Sequence, residues 1–194
     1  MRVSTHHIAG IDIFTADFHN LDHDSLTDAQ LSDINTIKAD KRRRERAMTY
    51  ALVNHAAATC GLYASLRGSL LGHRDNGSPF LCTPEGEIPA PISISHCKSG
   101  ACIALGAPGQ HFGTDIEDVS DRRIRVADKF LNDREKNFIS NDNLLRAWTI
   151  KEAVYKAADS EGLTLRDGIA IQSLDTVSGI ATASADGKLY TAIS

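Results

Sequence analysis

The chain has no long apolar run, no excess of positive charge and no paired-cysteine motif, and each absence removes a class of protein. No stretch approaches the length needed to cross a bilayer. The opening residues, MRVSTHHIAGIDIF, show no long apolar core behind a basic start, so no secretory leader is expected. The cytoplasm is therefore the expected location. Cys60, Cys82, Cys97 and Cys102 show no Cys-x-x-Cys spacing, so four reduced thiols in a cytosolic fold are expected. A zinc site drawn from His96, Cys97, Cys102 and His111 matches no recurrent zinc spacing. The formal net charge of −4 argues against a general nucleic-acid binder. The one dense basic run, Lys41-Arg42-Arg43-Arg44-Glu45-Arg46, has no aromatic residues interleaved with it. No short-period repeat or low-complexity tract is visible.

What remains is ordinary globular material. The 194 residues are 42% hydrophobic and 24% charged, enough for one sizeable domain or two small, tightly packed halves. IAGIDIF (8–14) reads as a strand opening the fold. Thr27 precedes DAQLSDINTIK, with Leu31, Ile34 and Ile37 at helical spacing. A second helix runs from Asp40 to Cys60 and stops at Gly61. Residues 72–91 read as an extended loop with short strands, and ISIS (92–95) and ACIAL (101–105) as strands. FGTDIED is the next expected strand, followed by short helices over 122–131 and 133–140. A further helix is expected from Asn143 to Ser160, with Gly162 as its stop. The rest alternates as strands, with turns at Ser178-Gly179 and Asp186-Gly187.

Chemistry concentrates in two acidic motifs. In HFGTDIED (111–118), Asp115 and Glu117 stand two residues apart, so on a strand they share a face. In AWTIKEAVYKA (147–157), Glu152 sits between Lys151 and Lys156. Helical spacing puts Ile150, Ala153, Val154 and Ala157 on one apolar stripe, with Trp148, Glu152, Tyr155 and Lys156 on a neighbouring face. Glu152 then borders the buried edge, where an idle carboxylate is costly unless paired or ligating. Taken singly, an Asp-x-Glu pair is ordinary on a solvated strand. The Glu152–Lys156 pair is an ordinary i,i+4 contact worth about 0.2–0.5 kcal/mol. Together, three carboxylates offer oxygen ligands to a hard cation, magnesium above all. The adjoining lysines make sense if that cation arrives with a polyanion.

These motifs resemble those of the Sfp-type 4'-phosphopantetheinyl transferases, which carry Gly-Ile/Val-Asp-x-Glu followed by Trp-x-x-Lys-Glu-x-x-x-Lys. Here the first reads Gly113-Thr114-Asp115-Ile116-Glu117, and the second matches at Trp148, Lys151, Glu152 and Lys156. Upstream, Ser93-Ile94-Ser95-His96-Cys97 resembles the family's Ile-Ser-His-Ser stretch, and Asn76-Gly77-Ser78-Pro79 its Gly-Lys-Pro. The four elements stand in the family's order. The resemblance implies an α+β fold of two similar halves related by a pseudo-two-fold axis. Residues 1–106 would hold the basic helix and the coenzyme A contacts, and residues 107–194 the metal site and signature helix. It implies magnesium-dependent transfer of the 4'-phosphopantetheine arm of coenzyme A to a serine of an acyl or peptidyl carrier protein, by a monomer that binds neither nucleic acid nor membrane. Asp115, Glu117 and Glu152 would hold the metal, and Glu152 and Lys156 would be catalytic. Arg42, Arg43 and Arg46 are the candidates for the ribose phosphate of coenzyme A, Ser95, His96 and Lys156 would contact coenzyme A as well, and Lys151 would either contact phosphate or anchor the helix. The departures at Ser78, Cys97 and Thr114 keep open a coenzyme A-binding homologue without transfer activity. Residues 38–46 keep open a nucleic-acid-binding module.

Overall fold

A chain reversal at Ala9-Gly10 opens the structure, a computed structural model that describes residues 1–119 and 122–194. Both turn residues have positive φ, 51° and 80°, the twist that a two-residue hairpin loop requires. Strand β1 (Ser4–Ile8) therefore pairs antiparallel with β2 (Ile11–Asp17), Ser4 opposite Thr15. The single strand expected over 8–14 is corrected to parts of both arms of this hairpin. Only Gly10 advertised the turn; Ala9 takes a left-handed conformation uncommon for a residue with a side chain.

The chain divides into two units, Met1–Gln110 and His111–Ser194. Each combines antiparallel sheet with one long helix, so the fold class is α+β. In the first unit, helix α1 (Asp28–Thr36) starts with a capping box. Gln30 N donates to Thr27 Oγ1 at 3.3 Å, and Thr27 N donates to Gln30 Oε1 at 3.1 Å, satisfying two donors at the helix start. Helix α2 (Asp40–Thr59) follows. Strands β3 (Leu70–His73), β4 (Pro79–Thr83) and β5 (Gly86–Glu87) form a small sheet. Strands β6 (Ile92–His96) and β7 (Gly100–Leu105) complete the larger one, in the order β1-β2-β7-β6. Helix α2 packs on β2 and β7. Met48, Leu52 and Ala56 are buried there with Phe14, Ile103 and Leu105. Fully burying a large apolar side chain is worth about 1.5–3 kcal/mol, so this contact holds the unit together.

In the second unit, α3 (Arg122–Phe130) and α4 (Leu144–Ala158) precede a meander of β8 (Ile169–Leu174), β9 (Ile180–Ala185) and β10 (Lys188–Ile193). The strand order is β10-β9-β8, and α4 packs against all three. The central strand turns Ala181, Ala183 and Ala185 inward, each buried, and these small side chains leave room for the helix. The hairpin turn at Asp186-Gly187 has φ of 51° and 72°. Among the described residues, no helix is long and apolar enough to cross a membrane.

Three expectations are corrected in this unit. Residues 111–118 form no strand. The helix expected over 133–140 is a single 3₁₀ turn, Glu135–Asn137. Helix α4 ends at Ala158 because Asp159 adopts a left-handed conformation, φ 46° and ψ 37°, ahead of Gly162. Aspartate tolerates that region better than most residues.

The first unit also holds a buried amide network. Asn54 Nδ2 donates to Ser25 O (2.9 Å) and Gln30 Oε1 (2.8 Å), and its Oδ1 accepts from Gly68 N (2.9 Å). Gln30 Nε2 donates to Ser69 O at 2.9 Å. Asn54→Ala strands several buried polar groups at once and is expected to destabilise the protein by about 1–3 kcal/mol. Urea unfolding of wild type and variant checks this; an unchanged midpoint would show that the network contributes nothing.

Candidate active site on helix α4

Positions 148, 152 and 156 are each one helical step of four residues apart, so Trp148, Glu152 and Lys156 share a face of α4. Segment 113–117 runs antiparallel along this helix. At its near end Gly113 lies directly on the helix backbone: a Cβ there would stand 1.9 Å from Ala153 O and 2.9 Å from Ala157 N. Only glycine permits so close an approach. This also explains why the segment is not a strand, since its packing partner is a helix.

From that contact the side chains follow. Lys156 Nζ donates to Thr114 O and to Asp115 Oδ1, both at 2.8 Å. Asp115 is the more deeply placed partner, with 7% of its side chain exposed against 26% for Lys156. Farther along, Trp148 Nε1 donates to Glu117 Oε1 at 3.0 Å. The indole is steadied by Phe130, edge-on at 5.2 Å between ring centroids. Thr114, where an aliphatic residue was expected, is buried. Thus Asp115 and Glu117 do not share a strand face, but each is held by a side chain from one face of α4, with half-buried Glu152 midway between those two side chains in sequence.

Among the described residues, no group of three or more His, Cys, Asp or Glu side chains is gathered closely enough to hold a metal ion. The donor chemistry of Asp115, Glu117 and Glu152 nonetheless suits magnesium. It takes oxygen ligands, and one or two carboxylates normally suffice because waters and substrate phosphates complete its shell.

Lys151, expected among the coenzyme A contacts, is engaged within the second unit. Its side chain is fully buried and its ammonium has three short acceptors: Glu135 Oε2 (2.7 Å), Leu165 O (2.8 Å) and Ile169 O (2.7 Å). An ammonium has three protons, so none is left for a phosphate. Burial pushes the lysine below its usual range, and the Glu135 carboxylate opposes that shift. Glu135, which no sequence signal singled out, is also fully buried. It accepts from Ile171 N (2.7 Å) and Asn132 N (2.8 Å).

In the first unit, the basic run divides by burial. Arg46 Nη1 donates to Asp33 Oδ2 (3.0 Å), Tyr50 Oη (3.3 Å) and Leu71 O (2.9 Å). It ties α2 to α1 and β3. Arg43 pairs with Asp40 one turn away. Arg42 is 78% exposed, with Glu45 at 3.9 Å. His96, half-buried at the end of β6, has Nε2 3.0 Å from Thr49 Oγ1. That hydroxyl also donates to Glu45 O at 3.0 Å. Phe18 stacks on His96 at 6.5 Å, and the guanidinium of Arg44 lies over Phe18 at 4.6 Å. Sequence reading missed Arg44, Phe18 and Thr49 as neighbours of His96. Ser95, adjacent on β6, is buried, as is Cys97, whose thiol lies 3.3 Å from Ser99 Oγ.

Residues 111–190 match the family model of the 4'-phosphopantetheinyl transferase superfamily. The match covers nearly all of the second unit and none of the first. It spans Gly113, Asp115, Glu117, Trp148, Glu152 and Lys156, the residues of both acidic motifs. No curated protein matches the chain.

Gly113→Ala is the sharpest test of this arrangement. The added methyl displaces the segment from α4 and separates Asp115 from Lys156. Chemical shifts of the Asp115 carboxyl and Lys156 ammonium are expected to move while the circular dichroism spectrum is retained. Unmoved shifts would mean that the glycine is dispensable.

Proposed function

We propose that the protein transfers the 4'-phosphopantetheine arm of coenzyme A to a serine of an acyl or peptidyl carrier protein, releasing adenosine 3',5'-bisphosphate. The reaction is of the Sfp type and depends on magnesium. The observation that carries this reading is the family match over the segment in which Lys156 and Trp148 hold Asp115 and Glu117. Asp115, Glu117 and Glu152 are the residues to hold magnesium, which when bound offsets pyrophosphate charge and polarises the phosphoryl oxygens.

The serine hydroxyl attacks the phosphorus that bears pantetheine. A serine oxygen–phosphorus bond forms, and the bond from that phosphorus to the bridging pyrophosphate oxygen breaks. The electron pair leaves with adenosine bisphosphate. Glu152 takes the serine proton, a contribution of about 10²–10⁴-fold for a well-placed base. Lys156 places positive charge where negative charge gathers on the leaving phosphate. Phosphoryl transfer depends chiefly on such positioning and charge stabilisation. In the first unit Arg42, Arg43, Ser95 and His96 are proposed as coenzyme A contacts. Arg44 joins them because it stacks on Phe18 beside His96.

Incubation with coenzyme A, magnesium and a panel of apo carriers, read by intact mass, tests the reading directly. Wild type should add one pantetheine arm to at least one carrier. Asp115→Ala and Glu152→Ala should abolish that gain with the fold retained, and chelation of magnesium should do the same. Lys156→Ala should lower turnover by about 10²–10³-fold, the range seen when a charge-stabilising donor is removed. Wild-type rates from the carboxylate variants would rule out the three-carboxylate assignment.

A further inference from the structure

We infer that Lys151 and Glu135 form a positioning pair that sets the rotation of α4, and that Lys151 never meets the substrate. This inference rests on the proposed transfer reaction only for its kinetic consequence. Lys151 precedes Glu152 by one residue, roughly 100° around the helix. Its ammonium is pinned at three points, by Glu135 and by the carbonyls of Leu165 and Ile169. Two of those points belong to β8 and its lead-in. The third, Glu135, is itself fixed at both carboxylate oxygens and through its backbone. Oε1 accepts from Ile171 N on β8, Oε2 from Asn132 N, and Glu135 N donates to Asn132 Oδ1 at 3.0 Å.

Neither side chain is exposed, and every short contact of the pair is directional. The helix therefore cannot turn about its axis without drawing Lys151 away from all three acceptors into apolar surroundings. Glu152 and Lys156 inherit that rotation. So does Trp148, whose indole holds Glu117. The apolar stripe of Ile150 and Val154 sets which face of the helix is buried, and the directional contacts of Lys151 fix the angle further. Lys151 thus acts through its neighbours, and Glu135 belongs to the same device although it lies outside both acidic motifs.

Two measurements test the pair. Lysine acetylation of the native protein, read by mass spectrometry, compares Lys151 with the partly exposed Lys156. Lys151 is expected to stay unmodified with and without coenzyme A. Labelling of Lys151 in the free protein that coenzyme A suppresses would overturn the inference. The second measurement uses the double variant Glu135→Gln with Lys151→Met, which leaves no lone buried charge and is tolerated better than either single change. Trp148 is the only tryptophan, so its emission reports the geometry of α4 independently of activity. Its emission is expected to shift, with coenzyme A affinity unchanged. The kcat should fall by about 10–100-fold at constant KM for coenzyme A, as for a catalytic group displaced by a fraction of an ångström to an ångström. An affinity loss of about tenfold, the size expected of one lost charge-assisted phosphate contact, would overturn the inference. Wild-type emission and kcat together would overturn it equally. Should the wild type neither bind coenzyme A nor modify any carrier, the transfer reading fails, while acetylation and Trp148 emission still decide the role of the pair.

Discussion

Taking an ammonium and a carboxylate out of water costs several kcal/mol per ion, recovered only when geometry is good and the remaining hydrogen-bonding capacity is filled. Lys151 and Glu135 meet that condition at zero side-chain exposure. The pair joins α4, the turn at Glu135–Asn137 and strand β8, three elements that a purely apolar core would hold with far less directional definition. The remaining features of the second unit follow in order. With α4 set on the sheet, its backbone at Ala153 and Ala157 receives Gly113, and the 113–117 segment lies along the helix. Asp115 then meets Lys156, and Glu117 meets the indole of Trp148.

The first unit solves a similar problem with neutral amides and one arginine. Gln30 and Asn54 satisfy each other and four backbone groups between α1, α2 and the loops around Ser25 and Ser69. Arg46, Tyr50 and Asp33 add a charged tie, Tyr50 Oη donating to Asp33 Oδ2 at 2.6 Å. Burial and the adjacent carboxylate raise the tyrosine above its ordinary range, so it remains a donor. Spending Arg46 on this tie separates it from its neighbours in the basic run. Arg42 and Arg44 stay at the surface of the first turns of α2, where clustered positive charge opposes the helix dipole and an anion would relieve it.

Much of this was legible in the sequence where local physics decides. Thr27 announced the start of α1, and Asp186-Gly187 the last hairpin. Of the 3.6-residue stripe Ile150, Ala153, Val154 and Ala157, all but half-buried Ala153 lie on the buried face of α4. Errors arose where a neighbour distant in sequence decides. FGTDIED has the alternation of a strand, yet Gly113 meets a helix backbone and no sheet receives it. Ala9 and Asp159 take left-handed conformations that their residue types permit without demanding.

For the candidate site, the sequence by itself determined which residue types are available. Asp115, Glu117, Glu152 and Lys156 carry the oxygen ligands and charge, and helical periodicity alone puts Trp148, Glu152 and Lys156 on one face. Only the tertiary structure decided which cations are buried among acceptors within the fold. Helical spacing already set Lys156 on the face of Glu152 and Lys151 off it, whereas Arg42 and Arg46 are equivalent in the basic run. Burial separates each pair, because an ammonium or guanidinium removed from water must be matched by acceptors that other parts of the chain supply. Glu135, Leu165 and Ile169 match Lys151, while Asp33 and Leu71 match Arg46. No spacing rule encodes those partners, since each lies more than ten residues away and arrives only when the chain folds.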